Sequence, residues 1–113
     1  MKIYHNPRCS KSRAALALLE ENGVDVEVIR YLETPPDAPA LKTMIAALGV
    51  APRDLLRVNE APYKELKLCD LTLSDEALID AMAAHPILIE RPIVVDGDRA
   101  VIGRPPESVL TLI

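Results

Sequence analysis

The sequence predicts an α/β fold in which helices cover a small mixed sheet. Three patterns support this class: strand, helix and strand over residues 1–31, helical patterns through the middle of the chain, and two strands followed by a helix at its end. The chain of 113 residues is the size of one domain with a modest core. Because it contains no Phe or Trp, that core must be built from Leu, Ile, Val and Ala.

The first third of the chain predicts a β-α-β unit. The apolar segment KIY is typical of a short strand, which the turn-forming pair Asn6-Pro7 ends. A helix is predicted over residues 10–22, with Gly23 as a left-handed C-terminal cap. The apolar face of this helix comprises Ala14, Ala15, Leu18 and Leu19. Residues 24–31 alternate apolar and polar side chains and predict a second strand; if the two strands are parallel, the crossover is right-handed.

The middle of the chain predicts helices. The proline-rich segment TPPDAP leads into a helix with Asp37 as its N-cap, and Gly49 ends that helix. PRDLLR predicts one or two helical turns from Pro52. SDEALIDAMAAH predicts a helix that Ser74 caps and that ends before Pro86.

The end of the chain predicts a hairpin and a short helix. Strands over residues 93–95 and 100–102 flank a turn at Asp96-Gly97. Pro105-Pro106 begins the final helix, and no internal repeat or low-complexity segment interrupts the order of elements.

Composition and charge argue against several functional classes. A net charge of −4 and few aromatic side chains disfavour a nucleic-acid binder. Two cysteines, Cys9 and Cys69, and two histidines, His5 and His85, are too few and too scattered for a disulfide framework or a metal site. No signal-peptide core and no stretch near the roughly 20 apolar residues of a membrane span is present. We therefore expect a soluble cytoplasmic protein with reduced thiols.

Cys9 is the candidate reactive residue. It falls at the start of the helix predicted over residues 10–22, where unpaired backbone N–H groups and the helix dipole favour negative charge. With Arg8, Lys11 and Arg13 close in sequence, its pKa should lie below that of a free thiol, and the same place should attract an oxyanion. The alternative is a small core cysteine among ordinary surface charges.

Ser12 stands where the second cysteine of a C-x-x-C pair would be, so no local disulfide can form. Its hydroxyl either donates a hydrogen bond to the Cys9 thiolate or is a solvated helix serine. Cys69 has aliphatic neighbours and no cationic cluster, which predicts a packed or partly buried thiol. His85, at a predicted helix end, is expected to complement the dipole.

Five segments together resemble the glutaredoxin-coupled arsenate reductase family, in the same order and over nearly the whole chain. They are YHNPRCSKSR, RYLETPP, RDLLR, HPILIERPIVV and IGRPPE. The resemblance implies a thioredoxin-like fold, here one domain over residues 1–113 with a helical insertion at about 37–86.

The resemblance also implies roles for individual residues. Cys9 matches the catalytic cysteine, His5 matches a histidine thought to lower the pKa of that thiol, and Ser12 would support them. Three arginines of the family bind arsenate or stabilise the arsenic intermediate, and they correspond to Arg57, Arg91 and Arg104. Pro92 matches a cis proline that faces the cysteine.

Simpler explanations exist for the arginines. Arg53 and Arg57 would share a helix face, where pairing with Asp54 or Glu60 would explain them, and Arg53 is interpreted as a surface charge. The chain also departs from the family, with CSKS where well-characterised members have CGTS, so Lys11 adds a charge beside the site. It stops soon after GRPPE, and this shape resembles housekeeping relatives.

The resemblance implies reduction of arsenate to arsenite through Cys9, with glutathione as co-substrate, glutaredoxin as partner and no bound cofactor. We expect a monomer with no membrane or nucleic-acid partner. Two alternatives stay open: a monothiol glutathione-linked oxidoreductase, and a redox-sensing RNA polymerase regulator. Ser12 weighs against the regulator, whose relatives generally carry C-x-x-C.

Overall fold

The computed structural model describes the whole chain, Met1–Ile113, as two compact units. The first, called here the sheet unit, comprises Met1–Thr34 and Arg91–Ile113. The second, the helical unit, comprises Pro35–Glu90. That the two form one domain, with an insertion at about 37–86, stays a prediction.

The sheet unit contains a mixed four-stranded sheet, which confirms the predicted α/β class. Its strands are β1 (Lys2–His5), β2 (Glu27–Arg30), β3 (Ile93–Asp96) and β4 (Arg99–Ile102). They lie in the order β2-β1-β3-β4. β1 runs parallel to β2 and antiparallel to β3, and β3 pairs antiparallel with β4.

Helix α1 (Ser10–Glu21) and a C-terminal 3₁₀ helix (Pro106–Leu112) complete the sheet unit. The core is aliphatic, as the composition requires, and comprises Ile3, Ala15, Leu19, Val94, Val109 and Leu112. The expected apolar face of α1 is wrong in part, because Ala14 is exposed and Ser12 is buried instead. Residues 12, 15 and 19 form one stripe at helical spacing, and the polar Ser12 can belong to it because its hydroxyl is hydrogen-bonded.

β2 is shorter than the alternating pattern predicts. Lys2, the first residue of β1, pairs with Glu27, so the residues before Glu27 lie beyond the end of the neighbouring strand. Val24 and Val26 nevertheless pack against the core, which explains their apolar character. As an edge strand, β2 leaves Val28 42% exposed.

The hairpin forms around Gly97-Asp98, one residue later than predicted. Asp96 pairs with Arg99, so the strands extend to the two-residue loop. Gly97 has φ 62°, a left-handed conformation that such tight turns need and glycine readily adopts.

The helical unit contains α2 (Ala38–Leu48), α3 (Ala61–Glu65) and α4 (Asp75–Ala84). Two caps are confirmed: the Asp37 carboxylate accepts from Ala40 N–H at 2.9 Å, and Ser74 Oγ accepts from Ala77 N–H at 3.1 Å. Gly49 ends α2 in the left-handed conformation. The short α3 was not predicted. Short 3₁₀ helices occupy Pro52–Leu55 and Pro86–Leu88.

None of the helices combines the length and the apolar character that crossing a membrane would require.

Candidate active site

Cys9 is the N-cap residue of α1, in an extended conformation with φ −92° and ψ 121°. The tight turn after β1 fixes this position, because Cys9 N–H donates to the Asn6 carbonyl at 3.0 Å. The Asn6 side chain in turn accepts from Arg8 N–H at 3.0 Å. The NPR segment therefore delivers the partly buried cysteine to the start of the helix, as the sequence predicts.

The pKa of Cys9 lies below that of an ordinary thiol. Burial acts against this and raises the pKa, but the Ser12 N–H, the Arg91 guanidinium and the Lys11 N–H together lower it by more. The two N–H groups belong to the first turn of α1, where backbone donors have no partner within the helix. The expected low pKa is thus supported, but its cationic contribution comes from a distant part of the chain.

The cations next to Cys9 in sequence have other surroundings. Arg8 and Lys11 are exposed, and Arg13 donates through Nη1 to the Pro7 carbonyl at 2.8 Å. Lys11 acts on the thiol through its backbone N–H. The expectation that the charges of these side chains activate Cys9 therefore needs correction, because side chains leaving a helix start point in several directions.

Arg104 joins Arg91 at the sulfur. Its Nη2 lies 3.7 Å from Cys9 Sγ, and its Nε donates to the Arg91 carbonyl at 2.7 Å. The second contact ties the segment after β4 to the segment before β3, so the two guanidinium groups are positioned together. The structure thus places Arg91 and Arg104 at Cys9, as expected.

The peptide bond between Arg91 and Pro92 is cis, which confirms that prediction. The Arg104-Pro105 bond is also cis. Nothing in the local sequence distinguishes this second bond from the commoner trans form of X-Pro.

Ser12 links His5 to the start of the helix. Its buried Oγ lies 2.6 Å from His5 Nδ1 and accepts from Asn6 N–H at 3.1 Å. Both expectations for this hydroxyl are wrong: it is neither solvated nor bonded to the thiolate, which interacts with the Ser12 backbone N–H instead. Because Asn6 N–H already donates to Oγ, the hydroxyl proton can be directed to Nδ1 when the other ring nitrogen carries the imidazole proton.

The pKa of His5 is lowered, first by burial and then by the charges of Arg30 and Arg13, with Glu20 opposing them. The imidazole is therefore neutral near pH 7. The contributions that lower the pKa of Cys9 come from Ser12, Arg91 and Lys11. A role for His5 in thiol activation stays a prediction, and Ser12 is the contact through which it would act.

Arg57 belongs to the helical unit, where two carboxylates hold it. Its Nη1 donates to Glu90 Oε1 at 2.8 Å and its Nε to Glu60 Oε1 at 3.3 Å, which confirms the expected pairing with Glu60. Its contact with an oxyanion stays a prediction. The 3₁₀ helix ends at Leu55, so Arg57 does not continue a helix face with Arg53.

Arg53 and Cys69 both differ from expectation. Arg53 is partly buried and donates to the carbonyls of Leu68 at 2.7 Å and Asp70 at 3.0 Å, so it holds a loop and is not a simple surface charge. Cys69 is exposed, not packed. The reason is local: Leu68 turns into the core of the helical unit, and the next side chain faces outward. His85 is the C-cap of α4, at the expected helix end.

A cavity of about 520 Å³ opens on the sheet unit beside His5. Its lining residues are His5, Leu16, Val28, Arg30, Glu33 and Thr34. Sequence reasoning missed Arg30, whose charge acts on His5, because only the pairing of β1 with β2 brings the two together. No group of three or more His, Cys, Asp or Glu side chains is placed to hold a metal ion.

A mixed sheet, a cysteine at the start of the first helix and a cis proline before β3 define a protein of the thioredoxin-like fold class. Its thiol has a lowered pKa and lies beside two arginines. A model of the ArsC family matches residues 4–112, and the chain belongs to that family.

Curated relatives extend over the whole chain. A protein of Escherichia coli K12 named uncharacterized protein YfgD is 58% identical, with 100% of this chain and 96% of that protein covered. A Neisseria meningitidis serogroup A protein named arsenate reductase is 53% identical, with 96% and 94% covered. The arsenate reductase of E. coli K12 is 46% identical, and the match covers 98% of this chain and 79% of that protein.

Solved structures show the same fold. An arsenate reductase from Vibrio cholerae is 54% identical with a TM-score of 0.96, and the match covers 100% of this chain and 98% of that one. A putative arsenate reductase from Yersinia pestis is 53% identical with a TM-score of 0.92, covering 97% of both chains.

Proposed function

We propose that this protein reduces arsenate to arsenite with Cys9 as its nucleophile. The observation that carries the proposal is the approach of Arg91 and Arg104 to a sulfur whose pKa is already lowered. A thiolate supplies the attacking electrons, and the arginines supply the charge that an oxyanion needs. Relatives named arsenate reductase at 46–53% identity support arsenate as the substrate.

Binding of arsenate follows from the charges around the sulfur. The planar guanidinium groups of Arg91 and Arg104 can each donate two parallel hydrogen bonds to a tetrahedral oxyanion. The N–H groups at the start of α1 add partial positive charge on the same side. Arg57 is proposed as a third donor on the strength of the family resemblance. To act, it would turn from Glu60 or Glu90 toward the anion.

The chemistry begins with attack of the Cys9 thiolate on arsenic(V). A sulfur–arsenic bond forms, one arsenic–oxygen bond breaks, and the oxygen leaves as water after protonation. A second thiol then attacks the adduct. Arsenic gains two electrons to become arsenic(III), the two sulfurs are oxidised to one disulfide, and arsenite is released.

The second thiol must come from outside the Cys9 loop. Ser12 stands where a neighbouring cysteine would be, and its hydroxyl cannot supply the electrons that arsenic requires. We propose glutathione as this co-substrate and a glutaredoxin as the partner that reduces the resulting mixed disulfide. No bound cofactor enters the scheme, since both electrons come from thiols.

The test is an arsenite assay with purified protein, glutathione, a glutaredoxin and arsenate. Wild-type protein should produce arsenite, Cys9→Ser should abolish production, and Cys69→Ser should retain it. Omitting glutathione should stop turnover. Phosphate should compete for binding without being consumed, because it has the same shape and charge and phosphorus(V) resists reduction by thiols.

A different outcome would replace the proposal. If wild-type protein produces no arsenite but cleaves glutathione mixed disulfides through Cys9, the protein is a monothiol oxidoreductase. The arginines would then be contacts for the carboxylates of glutathione.

A further inference from the structure

Gly103 occupies a buried point of the sheet unit, directly after β4, where three segments meet. A Cβ atom at this position would lie 2.7 Å from Pro92 Cγ, 3.2 Å from Val109 Cγ1 and 3.3 Å from Ala15 Cβ. These three atoms belong to the segment before β3, the C-terminal 3₁₀ helix and α1. No other glycine of the chain has an atom within 4 Å of the corresponding position.

The backbone conformation does not explain glycine here. Gly23, Gly49 and Gly97 all have positive φ, whereas Gly103 does not. An L-amino acid could therefore adopt the Gly103 backbone without strain. What glycine alone supplies at this position is space.

That space lies between the two arginine-bearing segments. Gly103 N–H donates to the Pro92 carbonyl at 2.8 Å, and Arg104 Nε donates to the Arg91 carbonyl at 2.7 Å. The segments are thus joined at two successive residues. Beyond this junction, Arg104 Nη2 lies 3.7 Å from Cys9 Sγ.

We propose that Gly103 is a positioning residue of the thiol site. Its missing side chain lets the Pro92 ring pack directly on the backbone, and this contact sets Arg91 and Arg104 at the Cys9 sulfur. The inference rests on the proposed function only where it concerns arsenate, because the arrangement around the sulfur exists without substrate.

A methyl group would disturb this arrangement in a definite direction. Ordinary contact begins at 3.4 Å, so the Pro92 ring or the Gly103 backbone would have to move by about 0.7 Å. The proline ring is closed onto its own backbone and cannot rotate away, so the movement passes to Arg91 or Arg104. Misplacement of a catalytic group by about 1 Å can cost on the order of 10²-fold in rate.

The test compares Gly103→Ala with Gly97→Ala. The second substitution adds the same methyl group to the hairpin loop, where nothing lies within 4 Å but φ is 62°, so it should lower stability without reaching the site. For each variant, the rate of Cys9 alkylation is measured against pH and the KM for arsenate is determined, with thermal unfolding to confirm folding.

We expect Gly103→Ala to move the alkylation midpoint upward, toward that of an ordinary thiol. Because the thiolate is the reacting species, a midpoint higher by one pH unit should slow the reaction near pH 7 about tenfold. The KM for arsenate should rise as well, and Gly97→Ala should change neither. If Gly103→Ala lowers the unfolding temperature but keeps the wild-type alkylation profile, the glycine serves packing only and the proposal is overturned.

Two further outcomes are informative. If Gly103→Ala does not fold, Gly103→Ala with Val109→Ala removes the Val109 contact, keeps the Pro92 contact, and should show the same displaced profile; a wild-type profile in it overturns the proposal. If no variant, including wild type, reduces arsenate while the profile of Gly103→Ala is still displaced, the proposed function fails and the role of Gly103 stands.

Discussion

The two cysteines lie in different units and differ in their relation to arginine. Cys9 is partly buried in the sheet unit, with helix N–H groups, Arg91 and Arg104 at its sulfur. Cys69 is exposed in the helical unit, and Arg53 binds the carbonyls of the residues on either side of it. Both cysteines therefore have an arginine nearby, but only at Cys9 is a guanidinium group directed at the thiol.

The difference shows that neither exposure nor a nearby positive charge is enough to make a thiolate. At Cys69 the arginine already neutralises backbone dipoles and holds the loop closed. At Cys9 the donors come from both ends of the chain, brought together by the pairing of β1 with β3 and β3 with β4. Activation of a thiol depends on which donors have their hydrogen atoms aimed at sulfur.

The largest effect on this contrast should come from Arg104→Ala. The substitution removes the contact with Cys9 Sγ and the tie to the Arg91 carbonyl. Since hydrogen bonds to charged groups contribute roughly 1.5–3 kcal/mol, binding of an oxyanion should weaken roughly 10- to 100-fold. Phosphate competition or calorimetry with arsenate would measure the loss, and the pKa of Cys9 should rise.

Arg8→Ala is the matched control. Arg8 is next to Cys9 in sequence but exposed, and its backbone N–H bond to Asn6 survives the substitution. Oxyanion affinity should stay within about twofold of wild type, since exposed charges contribute little. Equal losses in the two variants would mean that long-range charge alone, without directed donors, accounts for binding.

A smaller effect, on stability, is expected for Ser12→Ala. The change leaves the buried His5 Nδ1 and the Asn6 N–H without their partner, which should cost about 1–3 kcal/mol of unfolding free energy. Ser10→Ala, at an exposed position of the same helix turn, should be nearly neutral. Urea unfolding of both variants tests this.

Thiol activation should respond differently. The Ser12 backbone N–H that lowers the pKa of Cys9 is still present in Ser12→Ala, so the alkylation profile should change little. A large upward shift of the Cys9 pKa in this variant would show instead that the hydroxyl and His5 act on the thiol directly.

Local signals in the sequence predicted most of the fold. Asp37, Ser74 and Gly49 mark helix ends because capping chemistry acts within a few residues. The short α3 and the true length of β2 were not predictable in this way. A five-residue helix has too little periodicity to be recognised, and the end of β2 depends on where its neighbour begins.

The candidate site was predictable in its residues but not in its contacts. The position of Cys9 at a helix start follows from the turn residues before it, and the pairing of distant arginines with it followed from family resemblance. Which cations reach the sulfur, and that Ser12 faces His5, depend on the direction of side chains in three dimensions. The same limit explains the wrong expectations for Ala14 and Cys69.

The most direct test of thiol activation is the rate of alkylation of each cysteine by iodoacetamide as a function of pH. Cys69→Ser reports Cys9 alone, and Cys9→Ser reports Cys69 alone. We predict that Cys9 reacts with a midpoint below the usual thiol value of about 8.5 and outpaces the more exposed Cys69 near pH 7. Faster reaction of Cys69 at that pH, or a Cys9 midpoint at or above the usual value, would contradict the account.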